Sequence, residues 1–564
     1  MGRMGSNGVG ADARDAASVT APEPPERAAE AEPGTGTGPV DAPATAPGPR
    51  GSRLDERWAH LLRTPRRRAV WYWGGPVAVA LIAALLRFWN LGHPQEIVFD
   101  ETYYVKDAWT LIANGYESAW PEGANEDFAR GDTDVFSDDP SYVVHPPLGK
   151  WMIGLGMALF GADSAFWWRA STALAGVVAV FALTMVGRIL FRSTLLAVIA
   201  GLLFAVDGNA IVMSRVGLLD NWLMLFCLLG FWFVLLDRAK TEDRFAARLA
   251  ALRADGAEPR SGPVVWARPW VVAAGVAFGA AIAVKWSGLY FLAAVGVYLV
   301  LVDALARRRA GLPFFVEGAV VKQGPVTFLL LVPVAAATYL ASWTGWLVTS
   351  GGYYRDWADQ PENAATGFWS WVPHPLQSLW HYHQAAYGYH VGVRTDHPWE
   401  ANPLTWPLML RPTNMYYAEV DGCGGGECVS SIIGIANPLI WWAATLASVY
   451  LVYRFARYRE WQAGAVLLGA AAGYLPWLLY VERTVFHFYT IAYEPFVLLA
   501  LTYVLGIVLG RPDDPRWRRQ QGIATVAVFL VVVLVVSAFF FPIWSAMPTS
   551  PEFRQLHFWL PGWG

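Results

Sequence analysis

The sequence predicts an all-α polytopic membrane protein with about eleven transmembrane helices, and three observations support this prediction. Hydrophobic residues make up 55% of the 564 residues. Charged residues make up only 15%, whereas soluble domains contain about 25%. Mean hydropathy is +0.32, and apolar runs long enough to cross a bilayer recur along the chain. So much apolar surface cannot all be buried in soluble domains, and lipid must therefore solvate part of it.

The N-terminal segment has a different composition. Residues 1–50 contain no aromatic residue, no Leu and no Ile, so they cannot bury enough apolar area to offset the entropy of ordering. They also lack the apolar run of a signal peptide. The sequence therefore predicts a disordered cytoplasmic tail over residues 1–60 and one transmembrane domain over residues 61–564.

The predicted transmembrane domain contains eleven apolar runs of membrane-spanning length. They cover residues 71–91, 167–191, 194–213, 217–236, 268–284, 287–305, 326–347, 432–453, 462–480, 488–509 and 522–541. An odd number of spans puts the two termini on opposite sides of the membrane.

The distribution of basic residues predicts the orientation. Arginine clusters precede the first run and recur in every second loop, whereas the long loops 92–166 and 348–431 share just six Lys or Arg residues. This bias predicts a cell-membrane protein with a cytoplasmic N terminus, an external C terminus and juxtamembrane helices on the outer face. The inner loop 237–269, rich in Arg, Ala and Leu, is expected to form a helix on the inner leaflet.

The same predicted topology places most of the histidine and acidic residues on the outer side of the membrane. Nine of the ten His residues, all but His60, and most acidic residues fall in outer segments. The net charge of −3 argues against a nucleic-acid partner, and no nucleotide-binding glycine motif is present. These features favour chemistry at the outer surface on a lipid-borne or translocated substrate.

The strongest local signal is the pair Asp100-Glu101, directly after the first span in Val98-Phe99-Asp100-Glu101-Thr102-Tyr103-Tyr104. A carboxylate at headgroup depth is partly desolvated, which raises its pKa and makes it a better base. The alternative is a helix N-terminus, with Asp100 as the N-cap and Glu101 in the first turn. Adjacent side chains on a helix diverge by about 100°, so the two carboxylates should have different roles.

Several basic residues lie at the predicted outer ends of spans. The run His145-Pro146-Pro147-Leu148-Gly149-Lys150 predicts a surface helix, on which Lys150 either binds an anion or extends its ammonium to the headgroups. Arg87, Arg169 and Lys285 are predicted to lie at a depth in the membrane where cations are usually paired or functional, and together they would suit a lipid phosphate. Arg215 and Asp220 are predicted to form a structural ion pair.

Two further residue pairs were considered for metal binding and for a disulfide. His381 and His383 lie two residues apart without a complete set of ligands, so no metal site is predicted. Cys423 and Cys428 bracket a Gly-rich hairpin in a loop expected outside the membrane, where a disulfide can persist. The pair is predicted to be oxidised, with free thiols as the alternative.

At these motifs the sequence resembles the protein O-mannosyltransferases, a family of the C-type glycosyltransferase (GT-C) superfamily. The resemblance rests on Asp100-Glu101, on the run from His145 to Lys150, on Arg169 and on the stretch from Ser214 to Asp220. It covers roughly residues 60–564, and the composition is similar to that of the actinobacterial branch. Loop 348–431 is too short for the β-trefoil MIR domain that fungal and animal members carry there.

The resemblance implies transfer of mannose from a polyprenyl phosphate to Ser or Thr hydroxyls of proteins that cross the membrane. It implies Asp100 as the catalytic base, Glu101 as the residue that orients the acceptor, and Arg169 as a contact to the lipid phosphate. Location adds Arg87, Lys285, His145, Lys150 and His487 as substrate-binding candidates. The partners implied are the donor lipid, secretory acceptor proteins and membrane lipids, with the protein translocation machinery as a further candidate.

The leaving group determines the expected mechanism. A polyprenyl phosphate leaves as a stable anion, so it needs cations, whereas a hydroxyl nucleophile needs a base. A single inverting displacement follows, with no cofactor required and the help of a divalent metal left open. One alternative is a GT-C transferase that glycosylates a glycolipid or cell-wall glycan. Another is a lipid flippase or transporter, which predicts paired charges at mid-membrane and an internal repeat.

Overall fold

The computed structural model describes residues 51–421 and 427–564. Within these residues the chain is mostly helical. Its helices are α1 (Arg53–Leu61), α2 (Pro65–Phe88), α3 (Glu101–Asn114), α4 (Ala124–Ala129), α5 (Leu148–Phe160), α6 (Ala165–Phe191), α7 (Thr194–Val206), α8 (Gly208–Arg215), α9 (Asp220–Ala254), α10 (Pro269–Val284), α11 (Gly288–Arg309), α12 (Phe315–Glu317), α13 (Gly324–Ser342), α14 (Thr344–Val348), α15 (His374–Gly392), α16 (Pro438–Tyr458), α17 (Trp461–Tyr474), α18 (Glu494–Leu509), α19 (Arg516–Trp544) and α20 (Pro551–Gln555). A two-stranded antiparallel hairpin, β1 (Asn414–Val420) and β2 (Cys428–Ile433), pairs Val420 with Cys428 at its closed end.

Long apolar helices confirm the membrane class. Eight helical segments of the described chain are long and apolar enough to cross a bilayer, and the bent pair α7 and α8 makes a ninth if it counts as one span. Each of the eleven predicted runs coincides with a helix, but α10 and α18 have only 16 residues each. The predicted number of eleven spans is therefore not confirmed.

The centre of the bundle is formed by α6 and α9. In each of these two helices, 61% of the most apolar 18-residue stretch is buried inside the protein. The corresponding share is 22–28% in α2, α11, α13, α16 and α19. α6 packs against α2, α7 and α9, while α10 packs between α9 and α13. The peripheral helices expose apolar side chains, as lipid-facing helices do.

Three sequence expectations about boundaries need correction. Residues 53–60 were predicted to be disordered but belong to α1. This helix begins with a capping box formed by Ser52 and Asp55. The predicted inner-leaflet helix is absent over residues 237–254, because these residues continue α9. The predicted run 432–453 begins in the buried strand β2, so α16 starts only at Pro438.

Candidate active site

A turn at Phe99 precedes the two adjacent carboxylates at the start of α3. Phe99 adopts a positive φ of 49°, and its ring contacts the rings of Phe486 and Phe488. Asp100 occupies the N-cap position in a helical conformation, yet its side chain makes no capping hydrogen bond. No described residue donates a hydrogen bond to this half-buried carboxylate. The predicted helix N-terminus is therefore confirmed in position, with Asp100 at the N-cap and Glu101 in the first turn, but the Asp100 carboxylate does not cap the helix and stays available.

Glu101 is fully engaged by the protein. Its Oε1 accepts from Arg169 Nε at 2.8 Å and from the Gly217 amide at 2.7 Å. Its Oε2 accepts from Arg169 Nη2 at 2.9 Å and from the Val98 amide at 3.0 Å. With the side chain completely buried, this geometry does not favour the predicted contact between Glu101 and the acceptor.

Arg169 holds the segment before α3 in place. Besides the two bonds to Glu101, Nη1 donates to the carbonyls of Leu91 and Pro94, and Nη2 donates to the carbonyl of Glu96. All five N–H groups therefore have partners inside the protein. The predicted phosphate contact is not supported, because Arg169 would have to give up one of these bonds to make it.

Arg87 and Arg215 serve helix ends rather than a lipid phosphate. Arg87 donates to Ser214 and to the carbonyls of Phe204 and Ala205 at the end of α7. Arg215 donates to four carbonyls at the end of α2, from Leu86 to Asn90. Both guanidinium groups satisfy carbonyls that a helix leaves unpaired at its C-terminus. The predicted ion pair between Arg215 and Asp220 is wrong.

Lys150 and His487 also lie elsewhere than predicted. Lys150 is buried and binds Glu117 at 2.7 Å and Asp107 at 3.3 Å, so it neither reaches the headgroups nor offers a free cation. His487 is buried against the ring of Trp441, at 5.3 Å between centroids, and does not line the cavity described below. Its neighbour Tyr489 does.

A cavity of about 260 Å³ is lined by Lys285 and Asp220, the two residues whose charges act on Asp100, although Asp100 is not itself a lining residue. The polar and aromatic lining residues are His145, Asp220, Lys285, Trp286, Ser287, Tyr290, Tyr387, His390, Trp477, Tyr480, Arg483 and Tyr489. The structure thus brings Asp100, His145 and Lys285 together out of the predicted site residues.

Two cations face this cavity. Lys285, between α10 and α11, binds Asp220 at 2.7 Å and lies 4.5 Å from the ring centre of Tyr489. Arg483, between α17 and α18, donates Nε to the His390 carbonyl at 3.0 Å and Nη2 to His390 Nδ1 at 3.3 Å. Among the described residues nothing binds Nη1 of Arg483 or the two remaining N–H groups of Lys285.

Sequence reasoning missed Arg483 and His390. The available signal for Arg483 was its position, since it is a lone arginine in a short connection on the side that has few basic residues. His390 belongs to α15, and no spacing in the sequence indicates that this helix forms a wall of the cavity.

Burial and local charge set the protonation states. Burial, together with the charge of Asp220, raises the pKa of Asp100 to about 6, and Lys285 partly offsets the rise. Burial beside Arg483 lowers the pKa of His390 to about 4. Burial and the nearby cations also hold the pKa of His145 well below its usual range. Near neutral pH the site therefore combines the unpaired Asp100 carboxylate, two neutral imidazoles, the Arg483 cation and the ion pair of Lys285 with Asp220.

Two sequence expectations concern other groups. Cys428 begins β2, but Cys423 lies outside the described residues, so the disulfide stays a prediction. His381 and His383 diverge on α15, where His381 stacks on Trp357 and His383 contacts Tyr339. In the part of the chain that the structure describes, no group of three or more His, Cys, Asp or Glu could hold a metal ion.

Two family profiles match this chain. One, described as "C-terminal four TMM region of protein-O-mannosyltransferase", matches residues 375–563. The other, described as "Dolichyl-phosphate-mannose-protein mannosyltransferase", matches residues 144–252. The two profiles cover the α15 wall of the cavity and the α6–α9 core.

Two mycobacterial proteins are similar to this chain over a longer stretch than either family profile covers. A polyprenol-phosphate-mannose–protein mannosyltransferase of Mycolicibacterium smegmatis (strain MKD8) is 35% identical, over 87% of this chain and 93% of its own. The protein of the same name from Mycobacterium tuberculosis (strain ATCC 25618 / H37Rv) is 34% identical, over 86% of this chain and 90% of its own.

The fold is also similar to a solved structure, that of the S. cerevisiae protein O-mannosyltransferase Pmt1-Pmt2 complex bound to the sugar donor. The match has a TM-score of 0.64 at 16% identity and covers 93% of this chain and 96% of that one. This similarity confirms the predicted all-α GT-C membrane fold. With a 35% identical relative matched over nearly its whole length, the chain belongs to the protein O-mannosyltransferase family.

Proposed function

We propose that this protein is a glycosyltransferase that moves mannose from polyprenyl phosphate mannose to Ser or Thr hydroxyls of proteins. The names of its mycobacterial relatives support this donor and this acceptor class. The observation that carries the proposal is the Asp100 carboxylate, which has no hydrogen-bond donor among the described residues and interacts electrostatically with Lys285 of the cavity. Lys285 and Arg483, the two cations of this cavity, each keep N–H groups that no described residue binds.

In the proposed reaction, Lys285 and Arg483 bind the phosphate of the donor. The acceptor hydroxyl oxygen attacks the anomeric carbon, and its proton passes to the Asp100 carboxylate. The bond between the anomeric carbon and the phosphate oxygen breaks, and its electron pair leaves with polyprenyl phosphate, whose charge the two cations stabilise. One displacement with inversion accounts for all atoms and charges, and the two cations supply the positive charge without a metal.

The remaining lining of the cavity suits the other parts of the donor. Leu223, Leu289, Phe291 and Ala472 form an apolar wall that matches the first isoprene units of a polyprenyl chain. His145 and His390 are neutral near pH 7, because their pKa values are lowered. Lys285 and Arg483 are therefore the groups of the cavity that carry the positive charge for the phosphate.

The proposal places this site on the outer face of the cell membrane, with a cytoplasmic N terminus and an external C terminus. Arginine-rich helix ends on the opposite side support this orientation through the positive-inside rule. Acceptors would then be proteins emerging from the membrane, and the translocation machinery would be a partner.

A transfer assay tests the proposed function. Purified protein in lipid nanodiscs would receive polyprenyl phosphate [³H]mannose and a Thr-rich peptide, and radioactivity should appear in the peptide. Asp100→Asn should lower the rate by about 10²–10⁴-fold, as loss of a general base does. Asp134→Asn, the same change at an exposed carboxylate of the same loop, should match wild type. Transfer to glycolipid but not to peptide would contradict the proposal.

A further inference from the structure

A second surface, unused by the proposed function, lies at the other end of α2 from Asp100. Helix α1 carries Leu54, Trp58 and Leu61 at spacings of four and three residues, so all three lie on one face. Their exposed fractions are 56%, 42% and 53%. A water-soluble helix would bury such a stripe, whereas here about half of each side chain stays uncovered by the described residues.

The opposite face of α1 is fixed to the last long helix. Asp55 binds Arg519 at 2.7 Å, and Glu56 binds Arg516 at 2.6 Å. These two residues are the acidic side chains of α1, so both of its negative charges are neutralised by α19. The contacts hold α1 with its apolar stripe turned away from the protein.

Basic residues surround the stripe. Six exposed arginines belong to α1, to the short connection after it and to the first turn of α2, and none of them forms an ion pair with a described residue. They are Arg53, Arg57, Arg63, Arg66, Arg67 and Arg68. The surface is therefore strongly positive beside an apolar strip.

Contacts with α2 show the depth at which this surface lies. The ring of Trp58 packs edge-on against Trp71, at 4.9 Å between centroids, in the second turn of the spanning helix α2. Val70, Trp73 and Val77, which lie before and after Trp71 on α2, are exposed as lipid-facing residues are. The stripe is thus level with the end of a membrane span, where headgroups begin.

We propose that α1 and the start of α2 form a binding site for anionic lipid headgroups. Leu54, Trp58 and Leu61 enter the boundary between headgroups and acyl chains, while the six arginines bind lipid phosphates through charge-assisted hydrogen bonds. Bound lipid ties the first and last long helices of the bundle to the membrane surface through α1. The proposal stands apart from sugar transfer, because none of these residues lines the cavity.

Thermal unfolding of the full-length protein in nanodiscs tests this site. Replacing phosphatidylcholine with phosphatidylglycerol should raise the apparent Tm of wild type, and high salt should reduce the rise. Arg53→Gln/Arg57→Gln/Arg63→Gln should keep the Tm seen in phosphatidylcholine, because the anchoring residues Asp55 and Glu56 are intact, but should lose most of the rise. Each lost arginine should weaken phosphatidylglycerol binding about fivefold.

A matched control is available at the same end of the spans. Arg308→Gln/Arg457→Gln/Arg459→Gln removes three other exposed arginines and should keep the full rise with phosphatidylglycerol. Trp58→Ser, which removes apolar contact but no charge, should reduce the rise in part. An equal rise in all variants, or an equal response of wild type to both lipids, would overturn the proposal.

Discussion

At the scale of single residues, two neighbouring carboxylates have opposite energetic roles. Glu101 accepts four hydrogen bonds and pairs with Arg169, so its negative charge is compensated inside the protein. Asp100 accepts none from the described residues, and partial burial makes its charge costly. The first arrangement stabilises the fold, whereas the second lowers the stability of the fold and leaves the proposed base without a partner.

Neutralising each carboxylate should therefore shift stability in opposite directions. Glu101→Gln leaves the buried Arg169 charge without its partner and should lower the free energy of unfolding by about 3–5 kcal/mol. Asp100→Asn removes a poorly solvated charge and should raise the apparent Tm at pH 7.5. Thermal unfolding of both variants measures the difference, and a fall of Tm in both would contradict the assigned roles.

The rise of Tm expected for Asp100→Asn should depend on pH in a direction that the pKa of Asp100 determines. The pKa of Asp100 in the folded protein is about 6, above its usual value of 3.8, so folding favours the protonated acid. Stability from this group is present at low pH and is lost as the pH rises from about 4 to 6. The Tm gain of Asp100→Asn should accordingly be larger at pH 7.5 than at pH 4.5, where the wild-type side chain is mostly neutral.

Catalysis should follow the same titration. Because the base must be ionised, kcat/KM should fall about tenfold per pH unit below pH 6, and the midpoint should lie near 6. Lys285 lowers the pKa of Asp100, so Lys285→Met should move the midpoint upward in addition to slowing turnover. Rates measured from pH 4.5 to 8 at subsaturating donor give both midpoints. A midpoint near 4 in wild type would remove Asp100 as the base.

At the scale of elements, the chain positions its site through the loops between helices. Lys285 begins the break between α10 and α11, and Arg483 lies between α17 and α18, so two distant loops supply the charges proposed to bind the phosphate. The α15 wall is coupled to Arg483 through His390. A small shift of α15 would therefore move one of the two cations.

Removal of the Arg483 charge should weaken donor binding more than it slows the chemistry. A charge-assisted phosphate contact contributes about 1.5–3 kcal/mol, so Arg483→Gln should raise the donor KM tenfold or more. Arg394→Gln provides the control, since Arg394 forms an exposed ion pair with Glu482 nearby. Unchanged donor KM in Arg483→Gln would leave Lys285 as the sole proposed phosphate ligand.

The sequence predicted the positions of the helices well, but it predicted the partners of the charged side chains only in part, and this difference has a physical reason. Hydropathy is a local property, so every apolar run coincides with a helix over most of its length, although the run 432–453 begins in β2. Ion pairing depends on residues far apart in sequence, such as Glu101 with Arg169 and Asp220 with Lys285. Cations judged by depth alone therefore looked like phosphate ligands, although Arg169 and Arg87 are engaged by the protein itself.

At the scale of the whole molecule, charge divides the bundle into two ends. The starts of α2 and α19 and the ends of α6, α9, α11 and α16 all carry arginines and share one end. Asp100, His145, Lys285 and Arg483 lie at the other. A helix such as α2, with 24 residues, is about 36 Å long, enough to separate the two ends by a full bilayer.

Labelling of intact cells should show this division directly. Single cysteines at Asp134, in the loop before α5, and at Ala257, after α9, would sit on exposed residues at opposite ends. The positive-inside rule predicts that a membrane-impermeant thiol reagent labels the Asp134→Cys protein, and that it labels Ala257→Cys only after the membrane is permeabilised. The buried native Cys227 should stay unlabelled in both. Labelling of Ala257→Cys from outside would invert the orientation and place Asp100 and its cavity in the cytoplasm, where no emerging acceptor chain could reach them.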